Sequence, residues 1–262
     1  MLVALSRISP IALQYKLALF IIIHFLAMKT VAIFRHTPSE GPGYFATFLE
    51  RHDIPWELIK VDQGEAIPTQ PERHAGLVFM GGPMSVNDPL PWIPPILELI
   101  RKSVAADIPV LGHCLGGQLM SKALGGVVSG NPFKEIGWGD ISASDNETAR
   151  AWLDGLTHFE GFHWHGETFT LPSAATHLMR SAYCQNQGWA IGKHLAMQCH
   201  VEMTASMIAT WCNSWADEIA TSKSPAVQTP EVMQENVQTR LSALNKVADR
   251  LYTRWIKGLV LA

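Results

Sequence analysis

The segment IPVLGHCLGGQLMSKALGG, residues 108–126, places one cysteine between glycines. Gly112, Cys114 and Gly116 form a G-x-C-x-G pattern, with an apolar run before it and a helical pattern after it. This is the strand–turn–helix arrangement of a nucleophile elbow, with sulfur in place of a serine oxygen. The crowded backbone of such a turn needs small neighbours, and the helix that follows directs its positive end at the side chain. The pattern therefore predicts Cys114 as a nucleophile whose thiolate form is favoured.

A thiol nucleophile needs a base, and the base usually has an orienting partner. His200 and Glu202 lie two positions apart, directly after an apolar run. Residues i and i+2 of an extended chain point to the same side, so Glu202 can accept the second ring N–H of His200. That bond would hold the tautomer that takes a proton from Cys114. His113 is a competing base, but as the neighbour of Cys114 in the elbow it should point elsewhere.

Two other interpretations of these side chains stay open. A free cysteine is most often a buried, inert residue that fills space in the core. A metal site could use Cys114, His163, His165 and His200, because H-x-H spacing permits it. No ligand set of known spacing is completed, however, so we predict no metal.

The elements that must position these residues alternate along the chain. Apolar runs typical of strands cover residues 30–36, 55–61, 75–83 and 108–112, and helical patterns cover 43–53, 92–107 and the stretch after Cys114. The alternation predicts an α/β fold, an open and mostly parallel sheet with helices on both faces. After Gly126, short segments between turn residues predict further strands that are partly antiparallel.

The C-terminal part has a different texture. Residues 217–230 are predicted to form a loop, and apolar residues recur at three and four positions from Glu231 onward. That spacing predicts an amphipathic C-terminal helix, which we expect to cover the core. We therefore expect one domain over residues 28–215, followed by a loop and helical tail over 216–262.

Composition excludes several classes of function. The chain has 262 residues, 47% of them hydrophobic, and a formal net charge of -3, which suits one large α/β domain. This charge gives no electrostatic reason to expect a nucleic acid or an anionic membrane as a partner of the core domain. The four cysteines form no C-x-x-C pair. In a chain of this length they predict reduced thiols and a cytoplasmic protein.

Residues 1–27 are kept apart from the fold prediction. The apolar run 17–28 is shorter than the roughly 20 residues that a membrane-spanning helix needs. Basic residues precede it, as in a signal peptide, but Phe25 stands where a small residue is wanted before cleavage. Met28 opens a segment typical of a first strand. We interpret 1–27 as an extension upstream of the natural start, with a signal peptide or anchor as the alternative.

The elbow and the His200–Glu202 pair together resemble the class I, triad-type glutamine amidotransferase domains, whose pattern is G-x-C-x-G followed by Q-F-H-P-E. The corresponding segments here are GHCLG at 112–116 and QCHVE at 198–202. The resemblance covers roughly residues 29–215 and is strongest with the stand-alone branch similar to the amidotransferase domain of GMP synthase. It implies a flavodoxin-like sheet. Cys199 and Val201 replace the usual aromatic residue and proline, but neither change removes a catalytic group.

The resemblance also implies roles for other residues. The loop MGGPMSVND at 80–88 is similar to the family's glycine loop, so the backbone N–H groups of Gly82 and Leu115 are implied to bind the oxyanion. The segments CLGGQ and FHWHGETFTLP are similar to family segments beside the substrate. The residues implied to contact substrate are Gly81, Gln118, Trp164, His165 and Gly166.

The implied substrate is glutamine. Cys114 would attack the side-chain amide carbon, and His200 would protonate the departing ammonia, leaving a γ-glutamyl thioester that water then hydrolyses to glutamate. No cofactor is implied. A separate synthase chain that accepts the ammonia is the implied partner. The alternatives are a γ-glutamyl hydrolase or peptidase with the same triad, and a non-catalytic regulatory member of the fold.

Overall fold

The computed structural model describes residues 29–261, so the interpretation of residues 1–27 lies outside the described residues. The strands are β1 (Val31–Arg35), β2 (Trp56–Lys60), β3 (Gly76–Phe79), β4 (Val110–His113), β5 (Val128–Ala143), β6 (His158–Phe169), β7 (Thr176–Ser181), β8 (Gly188–Ile191), β9 (His194–Met197) and β10 (Ala226–Val227). The helices are α1 (Tyr44–Arg51), α2 (Ile93–Ala105), α3 (Leu115–Ala123), α4 (Glu147–Trp152), α5 (Ala205–Ser214), α6 (Ala216–Thr221), α7 (Pro230–Gln234) and α8 (Val237–Ile256).

The strands join in one sheet with the order β10-β5-β7-β8-β9-β4-β3-β1-β2, and β6 pairs with β5. The run β9-β4-β3-β1-β2 is parallel throughout. The pairs β5–β6, β5–β7, β7–β8 and β8–β9 are antiparallel. The predicted open α/β sheet, mostly parallel and extended by antiparallel strands after Gly126, is confirmed.

Both faces of the sheet are covered, because alternate residues of each central strand enter different cores. In β1, Val31 and Ile33 join the core beneath α1, α5 and α8. Ala32 and Phe34 point the other way, to the core beneath α2 and α3. Because alternate side chains of β1 enter two different apolar layers, both sets are hydrophobic, and the sequence of the strand is a continuous apolar run.

The segment 217–230, predicted as a loop, contains α6 and the short strand β10, so that prediction was wrong. Asp217 and Glu218 occupy the first turn of α6, where their charges favour a helix N-terminus. β10 forms through register with Glu135 and Ile136 of β5, a long-range pairing that local pattern does not reveal.

The C-terminal helix is interrupted near its start. A short α7 ends before Asn236, which has a φ of 53° in the left-handed region, and α8 begins at Val237. The buried face of α8 joins the same core as β1, and a Cβ on Gly76 of β3 would come 2.9 Å from the Trp255 ring. The tail thus covers one sheet face. Within residues 29–261, no helix has the length and apolar character needed to cross a membrane.

Candidate active site

A cleft of about 250 Å³ opens at the carboxyl edge of the parallel strands. The loops that follow β1, β3 and β4 bring Glu40, Gly82 and Cys114 to its walls. This is the edge at which open α/β sheets bind ligands, because the loops of several parallel strands converge there.

Cys114 sits at a strained turn. Its φ of 50° and ψ of -108° place a non-glycine residue at positive φ directly before α3. Its backbone N–H donates to the Met197 carbonyl at 2.9 Å, which fixes the turn against β9. A Cβ on Gly116 would overlap the Phe79 carbonyl, and one on Gly112 would lie 2.5 Å from the Gly116 carbonyl carbon. Only glycine fits at these two positions, as the elbow requires.

The predicted base and its partner lie together. Nδ1 of His200 is 2.7 Å from Oε1 of Glu202, and both residues are buried. The backbone N–H of His200 donates to the Phe162 carbonyl at 2.8 Å, and the Trp211 ring packs edge-on at 5.0 Å between centroids. Nε2 of His200 has no hydrogen-bond partner among the described residues. This nitrogen is therefore available for the thiol or a substrate.

The three side chains perturb one another's ionisation. Burial raises the pKa of Cys114 above its usual value, although the nearby charge of His200 acts in the opposite direction. Burial would lower the pKa of His200, but the charges of Glu202 and Cys114 outweigh it and hold that pKa well above its usual value. The pKa of Glu202 falls to about 2 despite burial, because His113 and His200 favour its charged form. The expectation that the helix N-terminus at the elbow favours the thiolate was wrong, because burial raises the pKa of the Cys114 thiol.

His113, the competing base, points to the other side of the triad. Its Nε2 is 2.9 Å from the Tyr252 hydroxyl on α8 and 3.7 Å from Oε2 of Glu202. The ring is fully buried. His113 therefore supports Glu202 from behind and leaves His200 as the imidazole beside the thiol.

The predicted oxyanion donors lie next to each other. A Cβ on Gly82 would come 2.8 Å from Cδ2 of Leu115, so the glycine loop contacts the start of α3. Within the described part of the chain, the backbone N–H groups of Gly82 and Leu115 donate to no backbone carbonyl of another segment. Two N–H groups, one at a helix N-terminus, suit a developing oxyanion.

The predicted substrate residues contribute to the cleft in different ways. Gln118, Trp164, His165 and Gly166 all line it, whereas Gly81 does not line it and lies under Glu40. Sγ of Cys114 is 3.7 Å from the Trp164 carbonyl oxygen. The Gln118 amide donates to Gln198, which in turn contacts the thiol.

Gln198 is a site residue that sequence reasoning did not single out. Its Nε2 lies 3.5 Å from Sγ of Cys114, and its Oε1 accepts a hydrogen bond from Gln118 at 3.2 Å. Gln198 is fully buried. Its place in the QCHVE segment, two residues before His200, was the available signal.

The mouth of the cleft contains residues that the sequence pattern also missed. Nζ of Lys134 lies 2.5 Å from Oε1 of Glu218, and Nε1 of Trp164 donates to Oε2 of the same carboxylate at 2.9 Å. Glu218 belongs to α6, the helix within the predicted loop. Trp215 lines the mouth beside it. No local spacing links positions 134, 164 and 218.

The histidine cluster differs from the metal set considered from the sequence. Among the described residues, the ligand atoms that lie within 4.8 Å of one another belong to Glu135, His163 and His165, without Cys114 or His200. Oε2 of Glu135 is 3.0 Å from Nε2 of His165 and also accepts from Gln187 at 2.8 Å. These bonds explain the cluster as a buried hydrogen-bond network.

Comparison with known proteins identifies related chains. The model of the family described as glutamine amidotransferase class-I matches residues 48–210. The glutamine amidotransferase-like protein YfeJ of Salmonella typhimurium is 31% identical over 183 residues, covering 66% of this chain and 75% of that protein. Gamma-glutamyl peptidase 3 of Arabidopsis thaliana is 27% identical over 179 residues, covering 63% of this chain and 71% of that protein.

Two further relatives differ in the share of their own length that this chain matches. GMP synthase (glutamine-hydrolyzing) of Aromatoleum aromaticum is 32% identical over 141 residues, which is 50% of this chain but 26% of that enzyme. The crystal structure of a glutamine amido transferase from Methylobacillus flagellatus superposes with a TM-score of 0.88 at 41% identity, covering 90% of this chain and 97% of that one. The resemblance that the motifs indicated is confirmed.

Proposed function

Because the chain belongs to the class I glutamine amidotransferase family, we propose that it hydrolyses the side-chain amide of glutamine to glutamate and ammonia through a γ-glutamyl thioester. The observation that carries this proposal is the placement of a cysteine at a positive-φ elbow, beside a histidine whose other ring nitrogen is 2.7 Å from a buried carboxylate. A nucleophile, its base and the group that orients the base are then all present.

Each step has a candidate group. Cys114 gives its proton to His200 and attacks the amide carbon, while the N–H groups of Gly82 and Leu115 hold the oxyanion. One such donor is typically worth about 3 kcal/mol. His200 then protonates the departing nitrogen, the C–N bond breaks, and the thioester remains. Water loses a proton to His200 and releases glutamate.

The substrate is held by the residues that line the cleft. Gln198 positions the thiol from one side, and the Trp164 carbonyl approaches it from the other. Gln118 and Gly166 complete the wall around the amide. We propose no metal and no organic cofactor, because the groups above account for both proton transfers.

A γ-glutamyl peptidase activity is the second candidate, and the mouth of the cleft favours it. Lys134 and Glu218 form an ion pair at the entrance, beside the Trp215 ring. Such a set could hold an amino acid attached beyond the γ-glutamyl unit. A relative named gamma-glutamyl peptidase 3 is consistent with this. The similarity to GMP synthase instead supports a separate synthase chain as the partner that accepts the ammonia.

The cysteines support a proposal about the cellular location. All four are free and buried. We propose a cytoplasmic location, where such thiols stay reduced.

The first test is covalent labelling with a diazoketone analogue of glutamine, followed by intact mass measurement. We expect one adduct on the wild-type chain. It should be absent from Cys114→Ala and retained in Cys199→Ala, since Cys199 is fully buried and its pKa is raised by burial. Competition by glutamine or by a γ-glutamyl dipeptide then separates the two candidate substrates.

A folded wild-type chain that takes up no label, beside a reference amidotransferase that does, would overturn the glutamine proposal. In that case a non-catalytic, regulatory role of the intact triad would be the better explanation.

A further inference from the structure

Glu40 is a buried carboxyl in the cleft that the proposed chemistry does not use. Its side chain lines the cleft with Cys114, and the residue is 5% exposed. A Cβ on Gly81 would overlap Oε2 of Glu40 and lie 3.2 Å from Cε1 of His200. The carboxyl and the imidazole ring therefore lie side by side above Gly81, and glycine at that position makes room for both.

The loop that carries Glu40 is fastened to the triad. The Tyr44 N–H, just after this loop, donates to the Glu202 carbonyl at 2.8 Å. Nε1 of Trp211 donates to the Ser39 carbonyl at 2.8 Å, and the same indole packs edge-on against His200. These contacts hold Glu40 at a set position relative to His200.

No side-chain hydrogen bond reaches the Glu40 carboxyl from residues 29–261. Burial raises its pKa from 4.5 to about 7, with the charge of His200 lowering it and that of Glu202 raising it. The ionisable groups that interact with its charge are His200, Glu202 and Cys114. An unpartnered carboxyl of this kind can donate a proton at neutral pH.

We infer that Glu40 receives the amine released from the substrate and protonates it, so that the thioester is committed to hydrolysis. The inference rests on the proposed function. His200 must lie within about 3 Å of the nitrogen that it protonates. The side chain that stands beside His200 in the cleft is then next to the departing nitrogen.

The proton balance is complete. The C–N bond breaks as His200 gives its proton to nitrogen, and the product is a neutral amine, which is still a nucleophile. The Glu40 carboxylic acid transfers its proton to that amine, giving an ammonium ion and a carboxylate. The ammonium nitrogen has no lone pair and cannot attack the thioester again. Glu40 regains its proton from solvent after the ammonium ion leaves.

This role has a consequence for the substrate class. A synthase needs neutral ammonia, whereas an enzyme that releases ammonium ion is suited to hydrolysis alone. Glu40 therefore points to a hydrolytic enzyme, acting on glutamine or on γ-glutamyl amines, in preference to an ammonia donor.

The test compares two fates of one thioester in the full chain. Glutamine is incubated with ¹⁵N-ammonium chloride, and the rate of ¹⁵N entry into the glutamine side chain is divided by the rate of glutamate formation. We expect Glu40→Gln to lower this ratio by about tenfold relative to the wild type, because the carboxyl that protonates the departing amine must also take the proton from the incoming ammonium ion. The loss stays below the full range of general acid–base catalysis because water can replace the carboxylate. Glu50→Gln, an exposed carboxyl on α1, should leave the ratio unchanged. γ-Glutamylglycine with ¹⁵N-glycine provides the same ratio for a peptide substrate.

The ratio is the decisive readout, because damage to the triad slows both fates equally. Glu40→Ala serves as the second variant if Glu40→Gln does not fold, and it should lower the ratio as well. An active wild type whose ratio is unchanged by loss of the Glu40 carboxyl overturns the inference alone. A wild type that forms no glutamate from either substrate overturns the proposed function, and this role with it.

Discussion

The segment 198–203 and the loop 36–43 each bring one buried carboxyl to His200, yet their environments act in opposite directions. Glu202 accepts a hydrogen bond from His200 at 2.7 Å and has His113 on its other side, and its pKa is about 2. Glu40 accepts no hydrogen bond from either histidine among the described residues, and its pKa is about 7. Both are deeply buried, so partners, and not depth, decide which carboxyl carries a charge.

The different protonation states of Glu202 and Glu40 suit two different roles beside His200. A carboxylate that stays charged can hold an imidazole in one tautomer and stabilise the imidazolium. A carboxyl that titrates near neutrality can exchange a proton with a product. The two residues should therefore respond differently to the same substitution, from carboxyl to amide.

The largest expected effect is on turnover. Glu202→Gln should lower kcat by about 10³- to 10⁴-fold, because the amide favours the wrong tautomer of His200. Glu40→Gln should change glutamate formation by about tenfold at most, since water replaces the proton donor. Steady-state assays on both variants, with folding checked by circular dichroism, measure the contrast. Equal losses in the two variants would remove the distinction between the carboxyls.

The next effect is on stability, and its sign differs between the two sites. The Glu40 pKa is raised in the folded state, so its ionisation destabilises the fold as pH rises from 4.5 to about 7. Glu40→Gln should thus increase the free energy of unfolding by up to about 3 kcal/mol above pH 7, and the gain should vanish below pH 4.5.

Glu202 should behave in the opposite way. Its depressed pKa means that ionisation stabilises the fold fully above pH 4.5, and that this contribution is lost as pH falls through about 2. Glu202→Gln should lower the free energy of unfolding by up to about 3 kcal/mol at pH 7, with the deficit shrinking in acid. Urea unfolding of both variants at several pH values gives the two curves. Parallel curves would show that neither carboxyl has the protonation state assigned here.

The smallest expected effect on kcat comes from loss of the Tyr252–His113 hydrogen bond, which lies next to Glu202. Tyr252→Phe removes the hydroxyl 2.9 Å from Nε2 of His113 and leaves that buried nitrogen without its partner. We expect a loss of about 2 kcal/mol in unfolding free energy. A fall in kcat of severalfold should accompany it, while the ¹⁵N exchange ratio stays unchanged because Glu40 is untouched. Tyr183→Phe, on the surface, is the matched control. If both variants behave alike, α8 does not support the triad.

Much of this site could be predicted from short segments. The elbow around Cys114 is a local pattern, since the strand, the glycines and the helix occur within one stretch of chain. The His200–Glu202 bond was predicted because an extended chain places i and i+2 on one side, and its length of 2.7 Å bears out that geometry. The parallel strands were predictable because each is a short, continuous apolar run between turns.

Other parts depend on contacts between distant residues. His113 meets Tyr252 across 139 positions, and Gln198 meets Cys114 across 84. Helix α6 was predicted as loop because its six residues have no buried residue to mark a period, and β10 exists only through its pairing with β5. Glu40 gave no signal beyond its place after the first strand.

The sequence by itself determined the fold class, the tight turn at Cys114 and the pairing of His200 with Glu202, because turn chemistry and the alternation of side chains act over a few residues. The tertiary structure decided which groups surround that pair and which of them are charged. Burial and the positions of neighbouring charges set a pKa, and both arise only when the loops after separate strands meet at one edge of the sheet.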